Sequence, residues 1–503
     1  MSGNRRRARP LALAVSTAAL LIAACAAQTG APADAATPAR APAQTVQRIS
    51  PADKAQGAEN HPKLLAEFGG AVTGTQATYV EGVGKTIAMQ SGLGNARSDF
   101  TVTLLNSSVD NAFAIPGGYV YVTRQLVSLM NNEAELAGVL GHEVGHVAAR
   151  HSAKRQSTAQ KNAVLGAIGT ILSGVIFGNS AIGQIGQQIF STGSQLLTLR
   201  YSRAQETEAD NLGIQYLRGA GYDPRAMSSV LRSLAAQNAL DAQILGTNNA
   251  VPEWASTHPD PASRVNAALA RAGANATGAT YRERFLTQIN GLMYGDDPRQ
   301  GMVEGNTFTH PDYRLQFRAP NGFYLLNGTN AVSIGGQSGK GEFTTAAYNG
   351  DLPGYVRSVF AGLAQQSQAQ ITPGEIQRTT INGIPAAYAA ARVASGNSQV
   401  DVVVFAYEFS SGQAFHFLTI SQAGQSSQFD PLFASMKRIS TAEAAAIKPR
   451  KLSVVTVKKG DTLQSLANRM AYTDRPLDRF LVLNGLAAGT TLSAGQRVKI
   501  VTY

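Results

Sequence analysis

The sequence has a single cysteine, Cys25, among its 503 residues. A disulfide within one molecule is therefore excluded. Charged residues are also scarce, at 15% of the chain, whereas hydrophobic residues reach 44%. This composition is typical of folded globular proteins and excludes a disordered chain, which would combine high charge with low hydrophobicity. The length predicts about three domains.

Long runs of basic residues are missing, although the formal net charge is +11. Beyond Arg5, Arg6, Arg7 and Arg9, the lysines and arginines are scattered along the chain. A nucleic-acid-binding surface would require a basic stripe combined with aromatic side chains. No nucleic-acid partner is therefore predicted.

Apolar runs long enough to span a membrane are also missing. The apolar stretch at residues 11–24 is shorter than the roughly 20 residues that a spanning helix needs. It directly follows the basic residues near the N-terminus, so residues 1–24 are predicted to be a signal peptide. A second apolar, glycine-containing stretch at 163–177 is also short, and predicts a loose helix that packs on the body or shields a cleft. The alternative for this stretch is a membrane span.

The end of the signal segment, Leu21-Ile22-Ala23-Ala24-Cys25, resembles a bacterial lipobox. The resemblance implies that Cys25 is lipidated and anchors the chain in a membrane. Since Ala26 rather than Asp follows Cys25, it also implies the outer membrane, with the protein on the periplasmic side of the cell envelope. The alternative is an ordinary signal peptide with an incidental cysteine. Residues 26–45 are rich in Ala, Pro and Thr, and residues 25–51 are predicted to be the lipidated tether.

The remaining chain predicts a multidomain protein. Residues 52–274 are mainly helical, with a small β-sheet from strands at 100–105, 112–115 and 119–123. Residues 300–440 alternate like strands with one or two helices between them, which predicts an α+β domain with an antiparallel sheet. Residues 452–503 predict a separate small unit of strand, two helices and strand.

The strongest chemical signal is His142-Glu143-Val144-Gly145-His146, an H-E-x-x-H pattern. On a helix, residues four apart differ by about 40° in direction, so both imidazoles project from one face and can share a zinc ion. Glu143 can reach a metal-bound water without binding the metal itself. Because the surrounding helix is apolar, it is expected to be buried, and buried polar groups need partners.

A catalytic zinc site needs a third protein ligand and leaves one position for water. Glu206 and Asp210 lie four apart on a second predicted helix and face the same way, whereas Glu208 should face solvent. We expect Glu206 to bind the metal and Asp210 to hydrogen-bond a ligand histidine. The alternative is a solvated acidic face of a helix.

These motifs make the chain similar to the HtpX-like and CAAX-prenyl-protease-like family of zinc metallopeptidases, in the gluzincin group. The resemblance also includes the segment 111–118, the pair Ser202-Arg203, and His258-Pro259 with Arg264. The resemblance to the soluble periplasmic branch implies one Zn²⁺ per chain and an endopeptidase that cleaves unfolded or misassembled envelope proteins.

Three further roles are predicted around the metal. Glu143 is the expected general base of peptide hydrolysis. Arg203 and His258 are candidates to stabilise the transition state; Arg203 could equally form a structural salt bridge, and His258 could act as a latch that occupies the open position of the metal. The strand Gly118-Tyr119-Val120-Tyr121 is the predicted edge that binds an extended substrate by β-augmentation.

The C-terminal segment resembles a LysM module, on the turn Gly460-Asp461-Thr462 and the helix end Asn484-Gly485. That resemblance implies peptidoglycan as a partner, with a purely structural module as the alternative. The middle domain loosely resembles PsbP-like domains. A competing hypothesis for the whole chain is a peptidoglycan-anchored chaperone or binding lipoprotein with vestigial protease activity.

Overall fold

The computed structural model describes residues 47–154, 201–245, 258, 261–367, 370–395 and 398–503. The predicted signal peptide, Cys25, most of the tether and the apolar stretch at 163–177 lie outside these residues, so those predictions stay untested. Within the described part, no helix is both long and apolar enough to cross a membrane.

The first domain is built mainly from helices. Its helices are α1 (Pro51–Glu67), α2 (Thr75–Ala88), α3 (Ala96–Asp99), α4 (Arg124–Leu129), α5 (Glu133–Ala148), α6 (Arg203–Gly219), α7 (Ala226–Leu245), α8 (Pro261–Ala272) and α9 (Arg282–Ile289), with a 3-10 helix at Met89–Ser91. Its strands are β1 (Thr101–Leu105), β2 (Ala112–Ile115) and β3 (Tyr119–Thr123). Helix α6 begins at Arg203, where the side chains of Ser202 and Gln205 form a capping box.

The strand order of the small sheet contradicts the predicted substrate-binding edge. Its strand order is β1-β3-β2, so β3 is the central strand. β3 pairs in parallel with β1 and antiparallel with β2, across a turn in which Gly117 and Gly118 both have positive φ. With both sides paired, residues 118–121 offer no edge to a substrate, and that prediction is wrong. The edge strand beside α5 is β2 instead.

The middle domain contains two antiparallel sheets. Its strands are β5 (Met302–Glu304), β6 (Thr307–His310), β7 (Leu315–Arg318), β8 (Phe323–Asn327), β9 (Val332–Gly336), β10 (Gly339–Thr345), β11 (Gln377–Ile381), β12 (Ile384–Ser395), β13 (Ser398–Ser410), β14 (Gln413–Gln422) and β15 (Lys437–Arg438), after β4 (Met293–Tyr294). Its helices are α10 (Leu352–Ser367), α11 (Asp430–Ala434) and α12 (Thr441–Ala446), with 3-10 helices at Pro298–Gln300 and Ser426–Phe429.

The larger of these sheets has seven strands in the order β11-β12-β13-β14-β10-β9-β8. Alternation along β13 gives the sheet two apolar faces, because successive side chains of a strand point to opposite sides. Val402 and Val404 pack with α10, whereas Phe405 and Tyr407 belong to an aromatic cluster on the other face. The predicted α+β architecture is confirmed.

The C-terminal module comprises β16 (Arg450–Thr456), α13 (Leu463–Ala467), α14 (Pro476–Asn484) and β17 (Arg497–Thr502). As predicted, Thr462 caps α13 and Gly485 ends α14 with a left-handed conformation. The module is not a separate unit, however. Strand β4 extends its sheet, and its apolar residues join the same core cluster as those of the first domain. This packing could not be read from the sequence because the contacting residues are hundreds of positions apart.

Candidate metal centre

Helix α5 is a buried helix with a well-defined start. The side chain of Asn132 accepts a hydrogen bond from the backbone N–H of Glu135 and so caps the helix. Glu135 in turn accepts a hydrogen bond from the backbone N–H of Asn131 at 2.7 Å. Residues from Glu133 to His146 are all buried, so the two histidines of the motif are held inside the first domain.

Small residues let α5 and α6 approach closely. A Cβ added to Gly141 would lie 3.3 Å from the Cα of Gly213, and one added to Gly145 would lie 3.2 Å from the carbonyl oxygen of Ala209. Larger side chains at these positions would push the helices apart. The close approach brings Glu206 on α6 opposite the histidines of α5.

The side chains meet in one buried group of possible ligands: His142, His146, Glu206 and His258. The Nε2 atoms of His142 and His146 are 3.0 Å apart. Each of these atoms lies 3.5 Å from an oxygen of Glu206. The Nδ1 atom of His258 lies 3.2 Å from His142 Nε2 and 3.0 Å from Glu206 Oε1.

This donor set fits zinc. A tetrahedral zinc ion with bonds of about 2.0–2.1 Å holds neighbouring ligand atoms roughly 3.3 Å apart, close to the spacings found between these atoms. Imidazole nitrogens and a carboxylate are also the ligands that zinc takes in catalytic sites. His142, His146 and Glu206 are therefore suited to hold the ion, and His258 Nδ1 stands at a fourth position.

Glu143 lies beside this group without joining it. Its side chain is fully buried, and neither carboxylate oxygen accepts a hydrogen bond from a described residue. The Nε2 atom of His258 is 3.5 Å from Glu143 Oε1. A buried carboxylate without a donor is costly unless water or a ligand supplies one. Burial raises the pKa of Glu143, which suits a group that takes up a proton.

A second layer of side chains orients the ligands. Asp210 Oδ1 lies 2.9 Å from His142 Nδ1, the contact expected from the sequence. Arg264 binds both acidic residues of α6, at 2.6 Å from Asp210 Oδ1 and 2.7 Å from Glu206 Oε2. Burial would raise the pKa of Asp210, but hydrogen bonds from His142 and Arg264 outweigh it and hold that pKa below its usual range.

Arg264, and not Arg203, is the arginine that contacts the possible ligands. Arg203 is the first residue of α6 and is exposed, and its side chain makes no ion pair with any described residue. It therefore lies outside the cluster, and neither of its predicted roles is seen. Arg264, which the sequence marked only through the family likeness, is the arginine that reaches the ligand set. No local pattern signals this contact, because Arg264 and Asp210 lie on different helices.

A cleft borders the ligand group. It is lined on one side by Ala114, Ile115 and Pro116 of β2 and its turn, and on the other by His146 and Tyr201. The rings of Tyr201 and His146 stack with centroids 3.7 Å apart. The edge strand of the sheet thus runs beside a ligand histidine, where an extended chain could lie.

Comparisons with known proteins agree with the chemistry of this centre. Residues 75–272 match the sequence model of Peptidase family M48, and residues 455–501 match that of the LysM domain. A beta-barrel assembly-enhancing protease of Yersinia pestis is 34% identical over 197 residues, which are 39% of this chain and 38% of that protein. A mitochondrial metalloendopeptidase OMA1 of Schizosaccharomyces pombe is 28% identical over 216 residues, 42% of this chain and 59% of that protein. The chain spans less than two thirds of the length of both relatives.

A solved structure, that of cyanobacterial PsbP from Synechocystis sp. PCC 6803, covers 26% of this chain and 91% of its own, at 13% identity and a TM-score of 0.23. A score this low carries no argument, and the PsbP-like interpretation of residues 300–440 stays a prediction.

The family matches and the buried donor set confirm the predicted family, the multidomain fold class and zinc as the cofactor. Within this chain, residues 75–272 are thus similar to Peptidase family M48, and residues 455–501 are similar to the LysM domain.

Proposed function

We propose that this chain is a zinc-dependent endopeptidase in which His142, His146 and Glu206 hold the metal and Glu143 is the general base. The observation that carries the proposal is the Glu143 carboxylate, buried without a hydrogen-bond donor among the described residues and adjacent to a complete set of zinc ligands. A purely structural zinc site would have no need for a buried carboxylate beside it.

Zinc bound there would lower the pKa of a coordinated water to about 7 and polarise a peptide carbonyl. Glu143 would accept the proton of the attacking water on a carboxylate oxygen and then donate it to the leaving amine. Asp210 and Arg264 would keep His142 and Glu206 oriented during this transfer, because both are already hydrogen-bonded or ion-paired in the buried second layer.

The substrate is proposed to bind as an extended chain along β2. Backbone hydrogen bonds at a strand edge recognise any unfolded segment, with little dependence on its side chains. Such a mode fits unfolded or misassembled envelope proteins as substrates. The name of one relative, a beta-barrel assembly-enhancing protease, is in keeping with that class.

In its resting form the site is proposed to be latched by His258. Its Nδ1 atom lies within the ligand group, where a water would otherwise be needed. The other ring nitrogen, Nε2, lies 3.5 Å from Glu143 Oε1, so the ring stands between the proposed metal position and the proposed general base. Displacement of His258 would open the fourth position to water and substrate.

The proposed location is the periplasmic side of the cell envelope, with lipid at Cys25 anchoring the chain to the outer membrane. Residues 52–274 would carry the protease, residues 300–440 the middle domain, and residues 452–503 a LysM domain that binds peptidoglycan.

The test of the catalytic proposal is Glu143→Gln. This change keeps the size of the side chain and all three metal ligands but removes the base, which is worth about 10²–10⁴-fold in rate. We expect zinc content to stay at the wild-type level, while cleavage of casein falls by that factor. Glu59→Gln, at an exposed position of α1, is the matched control and should cleave normally. Undiminished cleavage by Glu143→Gln would overturn the proposal and favour the binding-protein hypothesis.

A further inference from the structure

His151 lies behind the ligand His146, although helix geometry alone would place it elsewhere. Helix α5 ends at Ala148, and Arg150 adopts a left-handed conformation with φ of 55°. This turn directs His151 back toward the helix. The ring of His151 is fully buried, with its Nδ1 atom 2.8 Å from the Nδ1 atom of His146.

The other side of the His151 ring contacts a carboxylate. Its Nε2 atom is 3.1 Å from Oε2 of Glu208 on α6. About half of the Glu208 side chain is exposed, as its predicted orientation toward solvent requires, yet the carboxylate still reaches inward to His151. Glu208, His151 and His146 therefore form a continuous chain of contacts that leads from the surface to the ligand group.

The positions of the protons in this chain follow from the ligand geometry. His146 presents Nε2 to the other ligands, 3.5 Å from Glu206 Oε1. A nitrogen that binds a metal carries no hydrogen, so the hydrogen of a neutral His146 is on Nδ1. Nδ1–H must then donate to His151 Nδ1, because two N–H groups cannot face each other. His151 consequently carries its hydrogen on Nε2 and donates it to Glu208.

Each histidine of the motif is thus connected through its Nδ1 atom to a carboxylate. His142 Nδ1 contacts the carboxylate of Asp210 directly. His146 Nδ1 contacts a carboxylate through one intervening imidazole. Both carboxylates belong to α6, two positions apart, so one helix orients both imidazole ligands of α5 in addition to supplying Glu206.

We propose that His151 and Glu208 are positioning residues that fix the ring orientation and tautomer of His146 and strengthen it as a metal ligand. This inference rests on the zinc site of the proposed function. Partners of this kind contribute about 10–100-fold to metal affinity in other zinc proteins. By contrast, a salt bridge with a half-exposed carboxylate contributes little to folding. The effect should therefore appear in metal binding rather than in stability.

The test compares His151→Phe and Glu208→Gln with wild type by zinc affinity, measured by competition with a chromophoric chelator. His151→Phe removes the hydrogen-bond acceptor and should weaken zinc binding by roughly 10–100-fold. Glu208→Gln keeps an acceptor but loses the charge, so a smaller decrease in the same direction is expected. In the cobalt(II)-substituted proteins, the visible spectrum should shift in both variants, because it reports the geometry of the ligands.

The controls distinguish an effect on the orientation of His146 from an effect on the stability of the fold. His61→Phe removes another histidine whose ring nitrogen has a hydrogen-bond partner, Tyr121, and Glu81→Gln removes another half-exposed carboxylate. Both should bind zinc like wild type. The metal-free Glu208→Gln protein should unfold at the wild-type temperature. Weaker zinc binding accompanied by an equal loss of metal-free stability would overturn the inference in favour of a structural role.

The same measurements distinguish this inference from the proposed function. If wild type binds zinc tightly while His151→Phe and Glu208→Gln bind it equally well with unchanged cobalt spectra, only the positioning role is overturned. If wild type itself binds no zinc, the metal centre is wrong, and the positioning role is overturned with it.

Discussion

His258 is the residue whose position bears on access to the proposed metal site. It lies on none of the described helices or strands and is fully buried, with one ring nitrogen among the metal ligands and the other facing Glu143. A single side chain thus contacts both the possible ligand group and Glu143, the proposed general base. Removing it should affect access to the site without removing the ligands His142, His146 and Glu206.

For His258→Ala we expect faster cleavage of casein with unchanged zinc content. A hydrogen bond to a charged group is worth about 1.5–3 kcal/mol, so loss of the latch should raise the rate by roughly tenfold or more. The measurement is the initial rate at a substrate concentration well below saturation. A rate equal to or lower than that of wild type would show that His258 is not a latch and would favour a role in stabilising the transition state.

At the scale of elements, the turn between α4 and α5 connects the C-terminal module to the metal-binding helix. Lys499 of β17 is fully buried, and its Nζ donates hydrogen bonds to the backbone carbonyls of Ser128, Leu129 and Met130. These carbonyls lie at the end of α4, where backbone acceptors have no partner within the helix. Burial outweighs the nearby charge of Glu135 and lowers the pKa of Lys499.

Lys499→Met should therefore destabilise the whole chain. It keeps a long side chain but leaves three buried carbonyls without their donor. A buried acceptor left without its donor costs about 1–3 kcal/mol, which urea unfolding can measure. Lys451→Met, at an exposed position of the neighbouring strand β16, is the control and should unfold like wild type. Equal stability of the two variants would contradict the role of Lys499.

Helices and hairpins whose conformation depends on residues close in sequence could be predicted. Periodicity, capping residues and turn residues predict helix α5, its cap at Asn132 and the hairpin of β2 and β3. The order of strands in the sheet did not follow, because β1 pairs with β3 through contacts that the hairpin pattern does not specify. The return of His151 toward His146 depends on a left-handed Arg150, which is uncommon for a residue other than glycine.

At the scale of the whole molecule, the C-terminal module is packed on the first domain. Gly485, at the end of α14, is so close to the loop before α5 that an added Cβ would lie 3.0 Å from Asn131 Nδ2. The turn at Gly460 is exposed and has no neighbour within 4 Å of an added Cβ. Glycan bound at that turn would therefore be held at a set distance from the metal centre.

Sedimentation with purified, insoluble peptidoglycan tests this arrangement. The chain should be used as Glu143→Gln, so that self-cleavage does not remove the domain. We expect it to sediment with the cell wall and to be released by soluble N-acetylglucosamine oligomers, because LysM grooves are expected to bind such chains. Protein that remains in the supernatant, or that sediments equally in the presence of the oligomers, would indicate a structural module.

The most direct test of the metal centre is zinc per chain by elemental analysis, combined with casein cleavage before and after treatment with a chelator. Wild type should contain one zinc ion, and a His142→Ala, His146→Ala double variant should contain none, because both imidazole ligands are removed. Chelation should abolish cleavage by wild type, and added zinc should restore it. Cleavage that continues at the same rate after the zinc has been removed, or zinc retained by the double variant, would contradict a metalloprotease site at these residues.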